Sequence, residues 1–230
     1  MSWNTIFGVA CTISLFLPVA AILYYKIYHH RSLAALGLSY LTTALCSMMN
    51  EGILPVGAGL LRGFVVFNNY MDVPLILTAL LFFCPNKQRQ KPIQILTISF
   101  LLYELVIGIV FGFSPKSIVY IMGPGVLLVL VYTFYLFTRQ VKITIVHRKN
   151  GGRALMLAAI LFGYGCYGVV YYFYYIQQTP NVADAFLIYF ITSLLSCSMM
   201  TVGIHMIRKR MKKLEEAINT RRELAMFFGH

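Results

Sequence analysis

Three carboxylates stand inside otherwise apolar runs of this sequence: Asp72 in "NNYMDVPLILT", Glu104 in "SFLLYELVIGIV" and Asp184 in "PNVADAFLIYF". A carboxylate among apolar residues is costly unless it is paired, hydrated or protonated, so each could hold a cation, carry a proton or accept hydrogen bonds from a polar solute. A set of phenols joins them. The stretch "FGYGCYGVVYYFYY" places Tyr164, Tyr167 and Tyr171 at helical spacings of three and four, so that three rings with hydroxyl tips share one helix face. Its glycines Gly163, Gly165 and Gly168 are expected to permit close helix approach. Glu104, Asp72, Asp184, Tyr164, Tyr167 and Tyr171 are therefore the candidate ligand-binding residues, for a small ligand whose identity the sequence leaves open.

Metal and cofactor chemistry are not expected. Cys11, Cys46, Cys84, Cys166 and Cys197 fall within or at the ends of apolar runs, with no CxxC and no histidine at metal-ligand spacing. They read as small packing residues. The sequence contains no Walker loop, GxSxG, HExxH or paired-glycine dinucleotide turn.

Lipid-soluble elements must position these side chains. Hydrophobic residues make up 59% of the sequence, charged residues 11%, and mean hydropathy is +0.75. A soluble domain carries roughly 25% charged residues to cover its exterior, so this composition predicts an integral membrane protein whose first partner is the lipid bilayer. Seven runs, at approximately 5–25, 32–50, 68–84, 93–113, 117–138, 154–176 and 183–206, can cross or nearly cross a hydrocarbon layer of roughly 30 Å. The first lacks a basic leader and reads as a span rather than a signal peptide. "EGILPVGAGLLRGFVVFNN", interrupted by Gly, Pro and Arg62, reads as a long outer connection or partly inserted loop. The expected fold is an all-α polytopic bundle.

Positive charge orients that bundle. With seven spans, Lys26 and Arg31, then Lys87, Arg89 and Lys91, then Arg139, Lys142, Arg148, Lys149 and Arg153, and finally the basic tail, all fall on one side. Arg62 and Lys116 fall on the other. The expectation is an outside N-terminus and a cytoplasmic C-terminus in a multi-pass protein of the cell membrane, the inner one in a Gram-negative cell. Topology and anionic-lipid contact account for the net charge of +12, and no nucleic-acid partner is expected.

A faint duplication runs through the spans. "NNYMDVPLI" and "PNVADAFLI" align without gaps on Asn, Asp, Leu and Ile, and Pro18 and Pro124 are each followed by a His-Arg pair, His30–Arg31 and His147–Arg148. This suggests two three-helix halves joined by the fourth span, with Asp72 and Asp184 near the outer ends of their spans and facing each other across a pocket. "NNYMDVPLILT" resembles the Tyr-x-Asp segment in the third helix of microbial rhodopsins, and Asp184 is similar to the acid of their last helix. The last span contains no lysine for a retinal Schiff base, so no retinal pigment is implied. The layout also resembles small seven-helix sugar and vitamin transporters, without the proline-glutamine pair in the first helix of each of their halves.

Beyond the last span, Ile207, Met211, Leu214, Ile218, Arg221, Ala225 and Phe228 advance by four and three alternately. Such a heptad seam predicts a coiled-coil helix and a homodimer through 207–228, with docking on the cytoplasmic loops or the inner leaflet as the alternative. The chain thus divides into a transmembrane domain, 1–206, and a cytoplasmic helix, 207–230. "KKLEEAINTRRELAMFFGH" resembles the linker and first dimerisation helix of sensor histidine kinases. Leu224 and Ala225 match that family's Leu-Ala pair, Phe228 a core position, and His230 the phosphoacceptor. The resemblance covers about twenty residues and implies the input part of a kinase, in which His230 takes the γ-phosphate of ATP held by a separate domain. A small-solute or ion transporter is the second reading, and a membrane enzyme the third.

Overall fold

The computed structural model describes residues 3–84, 87–147, 150–177 and 183–228, with the side chains of residues 3–5, 87, 89, 147, 174–175, 183–186 and 222–228 left aside. The described residues form seven long helices: α1 (Trp3–Tyr24), α2 (Arg31–Asn50), α3 (Ala58–Leu80), α4 (Lys87–Phe111), α5 (Pro115–His147), α6 (Gly151–Tyr171) and α7 (Ala183–Phe228). Each contains a segment long and apolar enough to cross a membrane. Outward faces explain why lipid suits them. Ile13, Ile98, Ile109, Leu127 and Val202 are all exposed, and a protein in water does not carry an apolar surface of that extent.

Six helices close a ring. Going round it, α1 packs on α2, α2 on α3, α3 on α5, α5 on α6, α6 on α7 and α7 on α1. The fourth helix stands outside this ring against α3 and α5. α3 is the most enclosed in its second half, where Val73, Leu77 and Leu80 are fully buried. Small residues set the α6–α7 crossing. A methyl at Gly203 would lie 2.6 Å from Met156 Cγ and 2.9 Å from the Gly152 carbonyl, so the two backbones touch where side chains are missing.

Basic connections gather at one end. The Tyr25 hydroxyl lies 2.6 Å from Nδ1 of His205, which joins the α1–α2 connection to α7. Arg153 sits 4.9 Å above the Phe82 ring, and His30 meets that ring edge-on at 5.1 Å, which adds the α3–α4 connection and the start of α6.

The third span starts at Ala58 instead of residue 68, so 58–67 is helix and not connection. Pro55 and Gly57 mark a helix start: Gly57, extended at φ −63° and ψ 146°, is the N-cap, and Arg62 remains exposed in the early turns. As the seam predicts, the last helix runs on past residue 206: α7 is a single helix of 46 residues, about 69 Å long at 1.5 Å per residue.

Helix-internal prolines leave carbonyls to be satisfied, because proline has no N–H for the residue four before it. Pro124 frees the carbonyl of Tyr120, and the Tyr103 hydroxyl of α4 donates to it at 2.9 Å. α4 is thereby fastened to α5 at the point where α5 has lost a backbone bond.

Candidate functional site

A cavity of about 150 Å³ lies inside the ring, and all six ring helices line it. That is many times the roughly 10–15 Å³ that admits one water, so it can receive a small organic molecule. Asp72 of α3 is its carboxylate. The start of α3 at Ala58 puts Asp72 fourteen residues into the helix, about 21 Å from its first turn, which corrects the expected position near the outer end of the span. The acid is thus near the middle of its helix, where accessible charge must be matched by local donors.

Two hydroxyls supply them. Tyr164 of α6 donates to Asp72 Oδ2 at 2.5 Å, and Ser39 of α2 donates to Oδ1 at 3.0 Å. One turn earlier on α3, Asn69 has both ends of its amide engaged. Its Nδ2 donates to the Val65 carbonyl at 2.7 Å, and its Oδ1 accepts from the Tyr167 hydroxyl at 3.3 Å. Asn68 beside it lines the cavity with a buried Oδ1 that has no hydrogen-bond partner. From α7 come Tyr189, Ser193, Ser196 and Cys197, and the Tyr189 ring stands 6.3 Å from that of Tyr167, centroid to centroid. Leu15, Ile76, Met122 and Ile160 provide the apolar wall.

The sequence-predicted set is divided by this geometry. Asp72, Tyr164 and Tyr167 come together in the cavity. Tyr171 does not: its hydroxyl donates to the Val119 carbonyl of α5, and Gly123 makes room for it, since a methyl there would sit 2.9 Å from the phenolic oxygen. Two turns beyond Tyr164, the same face of α6 has left the cavity and meets α5. Among the glycines, Gly163 and Gly168 lie close to Ser196 and Val126, whereas Gly165 faces open space.

Glu104 occupies a separate place. It is 3% exposed, at a cleft of about 310 Å³ between α3 and α4 lined by Phe67, Tyr70, Leu101 and Phe113. Its Oε1 is buried without a hydrogen-bond partner. The backbone of Asp184 belongs to the first turn of α7, five residues before Tyr189, while its side chain lies outside the described residues, as does all of His230. Whether Asp184 faces Asp72 therefore lies outside them too.

Sequence reasoning missed most of the polar lining, although a signal existed for part of it. Asn68 and Asn69 precede Asp72 by four and three, the spacing that puts them on its helix face, and Tyr189, Ser193, Ser196 and Cys197 form a stripe of the same period. Among the described residues, no cluster of three or more His, Cys, Asp or Glu could hold a metal ion. No protein family, curated protein or solved structure matches the chain.

Proposed function

We propose that this chain is the input module of a membrane receptor: a small ligand occupies the Asp72 cavity, changes the packing of α7 against α6 and α1, and α7 carries the change to a dimeric tail. The supporting observation is continuity. Tyr189, Ser193, Ser196 and Cys197 line the cavity on the same unbroken helix whose residues 211–221 are all exposed beyond the bundle. Met211, Leu214 and Ile218 are between 39% and 53% exposed, so among the described residues the bundle offers this part of the seam no partner, and a second tail is the apolar surface of matching period. In this reading the N-terminus is outside, the tail is cytoplasmic in the cell membrane, and the output is that of a histidine kinase with His230 as phosphoacceptor.

The test is the oligomeric state of the full chain in lipid nanodiscs and of a version ending at Met206. The receptor reading expects a dimer that becomes a monomer on truncation. An unchanged oligomeric state on truncation, or a monomeric full chain, removes its main support. Solute transport is the second reading, favoured by the placement of the cavity between α1–α3 and α5–α7. It expects Asp72-dependent flux of the solute into proteoliposomes.

A further inference from the structure

The cavity holds a carboxylate with no charged partner and one acceptor left unpaired. Asp72 is met by two neutral hydroxyls, Asn68 Oδ1 is buried and unpartnered, and among the described residues no lysine, arginine or histidine lines the space. The described ion pair of this chain, Arg208–Glu215, is far along α7 in the tail. A carboxylate and an orphaned amide oxygen sharing one chamber call for a ligand that brings positive charge and more than one N–H.

The walls narrow the chemistry further. Tyr40, Tyr164, Tyr167 and Tyr189 surround the chamber, and aromatic faces attract an ammonium and also cover its apolar substituents. Leu15, Ile76, Met122 and Ile160 add a hydrocarbon side that a bare metal ion does not use. Anions are disfavoured by Asp72 directly.

On the receptor reading of this cavity, we infer that its ligand is a small organic primary amine bound as the ammonium, with N–H groups to Asp72 and Asn68 Oδ1 and an alkyl or aryl body against the tyrosines and Met122. The orphaned Asn68 oxygen sets a preference for primary over quaternary ammonium, because a quaternary head offers it no hydrogen. Neutral isosteres lack the charge.

The experiment uses the full chain in nanodiscs, with thermal shift and calorimetric titration against propylammonium, tetramethylammonium and sodium as chlorides at equal ionic strength, propan-1-ol, and sodium propionate. Propylammonium is expected to stabilise the protein and bind best, and Asp72→Asn to weaken it by about tenfold or more. Because Asp72→Asn also disturbs the Tyr164 and Ser39 bonds, Asn68→Leu is the second variant. It should lower propylammonium affinity severalfold and leave tetramethylammonium unchanged. Equal binding of propan-1-ol and propylammonium overturns the inference, as does stronger binding of sodium, or no binding by any amine. Propylammonium binding by a chain that is monomeric with or without its tail keeps the ligand class and removes the receptor reading. Binding of propan-1-ol alone by a tail-dependent dimer does the reverse.

Discussion

Tyr164 of α6 donates its hydroxyl to Asp72 of α3 over 2.5 Å, and so ties together two helices that are not neighbours in the ring order. Both residues line the cavity, which makes the bond both part of the site and a tie between α3 and α6.

Removing that hydroxyl leaves Asp72 with Ser39. Tyr164→Phe is expected to cost about 1.5–3 kcal/mol, the range for a hydrogen bond to a charged group. Reversible unfolding in mixed detergent micelles measures it, and a change under about 0.5 kcal/mol would mean that the two groups are not bonded in the bilayer.

Tyr103 and Pro124 make a sharper pair. If Tyr103 caps the carbonyl that Pro124 frees, Tyr103→Phe should destabilise the wild-type chain by about 1–3 kcal/mol. In a Pro124→Ala background the alanine N–H satisfies Tyr120, and the same substitution should cost much less. Additive costs in this double-mutant cycle contradict the capping role.

At the α6–α7 crossing, Gly203→Ala forces a methyl to within 2.6 Å of Met156 Cγ, and a loss of about 1–3 kcal/mol is expected. Gly165→Ala meets nothing within 4 Å and should be neutral or gain up to about 1 kcal/mol from helix propensity. Melting curves of the two variants side by side check both statements.

Glu104→Gln should leave propylammonium affinity within about twofold, since Glu104 lies at the α3–α4 cleft and not in the Asp72 cavity. Stability should hold or rise, because the amide cannot place a negative charge in this buried apolar surround. A large fall in affinity, by calorimetry, would join the two sites energetically.

Single cysteines in a cysteine-free background test the tail. At 211, 214 and 218 they should cross-link between chains on oxidation, and at 209, 216 and 220 they should cross-link poorly. A flat pattern around the helix argues for a tail lying on lipid.

What the sequence made legible follows from what each residue depends on. Seven apolar runs reveal seven helices because lipid imposes length and composition on every span. The start of α3 was obscured because Gly57, Gly59 and Gly63 read as breakers, whereas Gly57 is the N-cap and the helix runs on through the other two. Asp72 stood out because one acid in an apolar run needs a reason, and Tyr164 and Tyr167 followed from helical spacing. Tyr171 shares that spacing, yet its partner is a carbonyl near Gly123, and periodicity within one helix cannot reveal which neighbour each turn will meet. The separation of Glu104 from Asp72 was equally hidden, since it depends on α4 standing outside the ring.

That same unbroken α7 also sets a mechanical ratio. From Ser196, at the cavity, to Phe228 the helix runs 32 residues, an arm of about 48 Å, so a tilt of roughly 5° at the cavity displaces the far end by about 4 Å. The α6–α7 contact at Gly152 and Gly203, packed closely by Met156, Met206 and Ile207, lies along this arm and would be the fulcrum of such a tilt. On the receptor reading, a small rearrangement around Asp72 that tilted α7 would thus be geared up into a displacement comparable to a side chain's width.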